Sequence, residues 1–116
     1  MSRIKIKRAY DPADADDGLR VLVDRLWPRG LTRDAAKIDH WLKDIAPSGE
    51  LRGWFGHDPE RWAEFRKRYR AELVANKPAV AELHQLAKGA KSLTLLFAAK
   101  DAAHNNAVVL KEYLQK

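Results

Sequence analysis

Residues 19–30 read LRVLVDRLWPRG. Three apolar residues in succession, Val21, Leu22 and Val23, make residues 19–26 a strand buried on both faces, the pattern of a parallel sheet covered on two sides. Trp27, Pro28, Arg29 and Gly30 then stop it. A residue before proline is held extended, and Gly30 can take the positive φ that a sharp turn requires. Asp24 and Arg25 follow the apolar run directly, so the strand delivers them to its carboxyl end.

The rest of the chain can be read outward from this strand. On its N-terminal side, residues 11–18 (DPADADDG) carry four aspartates, a proline and a closing glycine. The segment is too short for a long crossover helix and reads as a loop with one helical turn at most. Before it, residues 3–8 alternate basic side chains with Ile4 and Ile6, the period of a strand buried on one face. On the C-terminal side, Thr32 caps a helix expected to run to about Leu42, with Ile38, Trp41 and Leu42 inward. A short helix after Ser48 carries Leu51, Trp54 and Phe55. Residues 59–74 form the clearest helix, with Asp58 as its cap, Pro59 at the first position and a stripe of Trp62, Phe65, Tyr69 and Leu73. Another helix starts around Pro78, turns Val80, Leu83, Leu86 and Ala87 inward, and ends at Gly89. Residues 92–99 (SLTLLFAA) are a second strand buried on both faces, and a last helix is expected from about Ala102 to Leu114. Strands separated by helices give an α/β fold: a small, partly parallel sheet of about three strands covered by about five helices.

At 116 residues the chain is expected to be one domain spanning 1–116, large enough to bury a core without staples. Cysteine is absent, which excludes disulfides, thiolate catalysis and cysteine metal sites, and fits an intracellular protein. No apolar run approaches the roughly 18 residues of a spanning helix, so no membrane association is expected. The N-terminus, MSRIKIKRAY, lacks the apolar core of a signal peptide. The net charge of +6 favours anionic partners: nucleotides, phosphorylated metabolites, nucleic acid or acidic proteins.

In open α/β sheets, ligands bind beyond the carboxyl ends of the strands. After the first buried strand come Asp24, Arg25, Trp27 and Arg29; after the second come Lys100, Asp101, His104, Asn105 and Asn106. Parallel neighbouring strands would bring both sets to one edge. There Asp101 is expected to cap the last helix, whose dipole and free N–H groups, with Arg25, Arg29 and Lys100, suit a phosphate or carboxylate. His104 would lie at the third helical position. Its ordinary pKa near neutrality makes it the preferred proton-transfer group, with Asp24 or Asp101 as its carboxylate partner. Asn105 and Asn106 are weak helix formers, and two in succession point to hydrogen bonding. Arg66 lies about 40° from Trp62 on a helical wheel, where an arginine either snorkels outward or reaches a buried anion. The structural alternative is that Asp24 and Arg25 pair with Lys100 and Asp101 merely to hold the loops, that Asp101 is only a cap, and that Asn105 and Asn106 bond backbone at a crowded helix start.

Several familiar sites are absent. There is no G-x-G-x-x-G, P-loop or G-x-S-x-G, so no cofactor is expected. His40, His57, His84 and His104 lack H-x-x-x-H spacing, so no metal centre is expected either. His57 and Asp58 read most simply as a helix-start device.

The segments RVLVDRLWPRGL, WLKDIAPS, ELRGWFGHDPERWAEFRKRY and LLFAAKDAAHNNAVVLKEYL together resemble the YeaO-like group within the bacterial domain of unknown function 488. The resemblance covers essentially the whole chain. It implies a stand-alone bacterial cytoplasmic protein of Rossmann-like α/β type, and it supplies no activity. Three motifs carry it: Asp24, Arg25, Trp27, Pro28, Arg29 and Gly30; then Gly56, His57, Asp58 and Pro59; then Lys100, Asp101, His104, Asn105 and Asn106. Longer members of the broader family carry cysteines near the third motif, where this chain has Ala98 and Asn105, so a shared thiol mechanism does not transfer.

Three functions remain to be weighed. One is a small-ligand site, enzymatic or sensory, for an anionic or nucleotide-like molecule. It would use Arg25, Arg29, Lys100 and the last helix, with Trp27, Asn105, Asn106 and Arg66 among its binding residues. A second is a nucleic-acid-binding module using the basic surface, which no helix-turn-helix supports. A third is a protein-interaction surface built on exposed Trp54 or Trp62.

Overall fold

A computed structural model describes residues 3–115. Strand β1 (Arg3–Arg8) is followed by a 3-10 turn at Ala15–Asp17 and by β2 (Leu19–Leu22). Helix α1 (Arg33–Ala36), strand β3 (His40–Trp41), and helices α2 (Gly49–Phe55), α3 (Trp62–Ala75) and α4 (Lys77–Lys88) come next. Strand β4 (Ser92–Phe97) and helix α5 (Asn106–Leu114) close the chain. The four strands lie in the order β1-β4-β2-β3 and every pairing is parallel. The α/β class expected from the sequence is therefore the fold, with a fourth strand added at one edge.

The two buried strands are neighbours at the centre: Val21 lies opposite Leu95 and Leu22 opposite Leu96. Their alternation divides the core. Val21, Val23, Leu93, Leu95 and Phe97 face a thick helical layer with Phe55, Phe65, Tyr69, Leu83 and Leu110. Leu22 and Leu96 face a thinner layer of Ala9, Ala36 and Ile38, closed by Trp27, Leu31 and Trp41. After β2, Trp27 and Leu31 pack on the thin side; after β4, Ala107, Val109 and Leu110 pack on the helical side.

Three elements differ from the sequence reading. The helix capped by Thr32, whose side chain accepts the Ala35 N–H, stops after one turn instead of reaching Leu42. Lys37 takes a left-handed conformation at φ 50°, and the Arg33 guanidinium ties down the carbonyls of Ile38 and Asp39. Asp39 is bound to the Arg20 backbone through both its N–H and its carboxylate, so His40 and Trp41 add to β2 as a strand. The last helix begins at Asn106, not near Ala102. Asp101 does not cap it, because its Oδ1 is occupied by the N–H groups of Ala103 and His104 in a turn of its own. Asn105 is extended at φ −147° and caps the helix by accepting the Val108 N–H.

The strand over residues 19–26 also ends earlier, at Leu22, and Leu26 is an exposed apolar side chain. The connection from β1 to β2 crosses β4 closely enough that a Cβ on Gly18, at φ 62°, would sit 2.2 Å from Ser92 Oγ. Glycine is required there. Among the described residues, no helix is long and apolar enough to cross a membrane.

Candidate functional site

Beyond the carboxyl ends of β2 and β4 the chain leaves a cavity of about 590 Å³. Its floor is made by hydrogen bonds that join the two strand ends. Asp24 Oδ2 accepts the Ala98 N–H at 2.9 Å, and Asn106 Nδ2 donates to the Val23 carbonyl at 2.9 Å. Trp41 Nε1 donates to the Asp24 carbonyl at 2.8 Å, so β3 steadies the same corner from its other side. The pairing of Asp24 and Arg25 with Lys100 and Asp101, weighed above as a purely structural network, does not form among these contacts.

The loop after β2 makes one wall. Gly30 turns at φ 81°. Trp27 Nε1 donates to the Leu31 carbonyl at 2.7 Å and its ring meets Trp41 edge-on at 5.3 Å, so the indole is fixed by both a hydrogen bond and packing. Pro28 is buried behind it, while Arg29 is exposed. Arg25 is 3.9 Å from the carboxylate of Asp44, whose side chain is 81% exposed. A pair that long and that wet contributes little, so the guanidinium is available to a stronger anion.

Helix α2 makes the opposite wall with Gly49, Arg52, Gly53 and Phe55. Ser48 begins it by accepting the Leu51 N–H, and Ser48 is itself held to α3 by both oxygens of Glu72. The helix ends at Gly56, φ 52°, followed by His57 at φ 57°. A non-glycine residue in that region is uncommon, and here it carries an imidazole to the cavity.

The third side is the turn after β4. His104 Nδ1 lies 2.8 Å from Asp101 Oδ2. An ionised carboxylate only accepts, so Nδ1 is the donor in this contact. The ring also meets Trp62 edge-on at 5.2 Å. The N–H of Ala103 and the His104 side chain hold the Asp101 carboxyl below its ordinary range. Asp24 goes the other way. Burial pushes its carboxyl up, against the opposing effects of the Ala98 N–H, Asn106 and the charges of Arg52 and His57.

Of the residues singled out from sequence, Asp24, Arg25, Trp27, Arg29, His104, Asn105 and Asn106 border one cavity. Asp101 stands behind His104. Lys100 is exposed and lies outside the wall. Arg66 is also elsewhere: it neither snorkels freely nor reaches the cavity, but binds Glu112 of α5 at 2.9 Å. Arg52 and His57 border the cavity and were not expected there. His57 falls in the second motif named above; Arg52 had no signal beyond its position on a capped helix. The tryptophans that could have formed an interaction surface are partly covered. Trp54 lies under Arg68 and Arg61 at 4.3 and 5.3 Å, and Trp62 packs on Phe55 and Phe65. Among the described residues, no three histidine or acidic side chains gather as they would around a metal ion.

The model of one family, described as the inactive DUF488-N3 subclade, matches residues 3–116. The chain belongs to this family. Its similarity to individual relatives spans nearly the full length. The uncharacterized protein YeaO of Escherichia coli (strain K12) is 45% identical over 112 residues, 97% of this chain and 96% of that protein. The uncharacterized protein Rv3073c of Mycobacterium tuberculosis (strain ATCC 25618 / H37Rv) is 44% identical over 113 residues, 97% of this chain and 94% of that protein. No solved structure matches the chain. The YeaO-like resemblance read from the four sequence segments is thus a family relationship.

Proposed function

We propose that this protein binds a small anionic, nucleotide-like ligand in the cavity at the carboxyl edge of its sheet. The observation that carries the reading is the composition of the wall: three arginines, Arg25, Arg29 and Arg52, and the imidazoles of His57 and His104 share it with one carboxylate, Asp24. Arginines gathered around one concavity raise the local potential for an anion above that of the same charges scattered over a surface. Trp27, Pro28, Pro47, Phe55 and Ala98 supply apolar surface for an uncharged body, and the volume is ordinary for a small-molecule site. The first residue of α5, Asn106, brings the positive end of a helix dipole to the same wall. Asp24 and the Asp101–His104 pair are the groups able to move a proton on the bound molecule. The description of the family as inactive favours binding without turnover. The bacterial cytoplasm, where small phosphorylated metabolites are found, is the location that suits this role.

Isothermal titration with AMP, GMP and inorganic phosphate tests the reading. Saturable binding is expected, weakened about 10–100-fold by Arg52→Ala or Arg25→Ala, because each removes a charge-assisted hydrogen bond. No binding of any of the three, or binding unaffected by the double substitution, would overturn it. Binding to DNA or RNA with affinity falling steeply with salt would instead support the nucleic-acid module, since counterion release dominates such complexes.

A further inference from the structure

Most glycines of this chain have a reason in the fold. Gly18 is pressed against Ser92, Gly30 and Gly56 adopt positive φ, Gly89 ends α4, and Gly49 opens α2. Gly53 has none. It lies inside α2, it is exposed, its φ is not in the left-handed region, and a Cβ placed on it would meet no atom within 4 Å. Glycine is the weakest helix former apart from proline, because it surrenders the most backbone freedom and contributes no side-chain contact. Alanine would suit this position better on every ground the folded chain supplies. Gly53 borders the cavity together with its neighbour Arg52.

We infer that Gly53 is a specificity-determining residue: its bare backbone admits the uncharged body of a phosphate ester against α2, while the phosphate is held by the arginines. The inference rests on the anion-binding reading above and goes further, assigning the ligand to organic phosphates with a bulky body, not inorganic phosphate. A nucleoside monophosphate has the required parts. Its planar base matches the apolar wall, and its dianionic phosphate matches Arg25, Arg29 and Arg52.

The test compares Gly53→Leu and Gly53→Ala with the unaltered protein, using AMP, GMP and inorganic phosphate as probes. Both replacements favour the helix, and a Cβ at this exposed position meets no atom within 4 Å, so Tm is expected to stay level or rise by a few degrees. In Gly53→Leu the affinity for the better-bound nucleotide should fall about tenfold or more, as expected when a side chain overfills an occupied space. Inorganic phosphate should bind Gly53→Leu as it binds the unaltered protein, and Gly53→Ala should fall between the two for the nucleotide. Unchanged nucleotide binding by Gly53→Leu would overturn the inference and leave the anion-binding reading intact. Equal loss of nucleotide and phosphate, or a lowered Tm, would also overturn it, because the substitution would then be acting through the fold. If the unaltered protein bound phosphate but neither nucleotide, the bulky-body assignment would fail. If it bound none of the three, both readings would fail together.

Discussion

Asp17 and Asp24 stand at opposite ends of β2, and the chain treats these two carboxylates in opposite ways. Asp17 is fully buried at the amino end, where Arg20 Nη1 approaches to 2.6 Å, Lys7 to 3.1 Å and Lys5 to 3.3 Å, and the Asp14 N–H adds a fourth donor. Arg20 in turn donates twice to the Ala36 carbonyl, so the network locks the crossover, the sheet and α1 together. Burial alone would raise the Asp17 carboxyl, but these partners outweigh it and hold the group far below the usual carboxylate range. Asp24 at the carboxyl end accepts the backbone N–H of Ala98 and faces a cavity, and there burial wins and the carboxyl is raised. One end of the strand satisfies its charge within the protein. The other end leaves its charges to be completed from outside, as binding sites characteristically do.

The contrast can be broken most severely at Asp17. Asp17→Asn removes the one anion shared by three cations, and a loss of about 3–5 kcal/mol is expected in urea unfolding at neutral pH. The pH dependence gives the sign independently. A depressed carboxyl contributes stability that is complete above its unfolded-state pKa and is lost as pH falls through the lower folded value. The unaltered protein should therefore lose this increment in acid, and Asp17→Asn should lack that limb.

A smaller effect, about 1 kcal/mol, is expected from Asn105→Ala, which deletes the side-chain cap of α5; thermal unfolding measures it. If Asp101 were the true cap, Asp101→Ala would carry that loss instead. The smallest effect belongs to Asp24. A raised carboxyl imposes a cost of ionisation on the folded state, so the stability it withholds is absent in acid and grows as pH rises through the folded pKa. Asp24→Asn is expected to leave Tm level or slightly higher at neutral pH, with the advantage vanishing at low pH. A large loss of stability in Asp24→Asn at neutral pH would make the two ends of β2 alike and remove the distinction.

The sequence made the carboxyl end of this comparison legible and hid the amino end. Continuous apolar runs mark β2 and β4 as strands buried on both faces, and polar residues after such strands are visible without coordinates. Asp17 was unreadable for a physical reason. Its burial depends on Lys5 and Lys7, which the alternation of β1 makes look like a solvated face, and on a crossover that resembles a polar loop. Strand β3 was hidden because Ile38, Trp41 and Leu42 keep helical spacing, and lysine gives no signal that Lys37 will adopt a left-handed turn. The start of α5 was misplaced because Asp101 and Asn105 are both good caps. Only the extended backbone at Asn105 decides between them. Arg52 and His57 reach the cavity through the packing of α2 and α3 against the sheet, which no local pattern encodes.

Amide chemical-shift mapping during a titration with AMP or GMP tests the central claim most directly, because it reports where an anion settles as well as whether it does. Concerted shifts are expected in residues 24–30, 52–57 and 98–106, the three segments that border the cavity, with residues 14–20 unmoved. Shifts confined to the basic residues of β1 and α3, or none at saturating nucleotide, would contradict it.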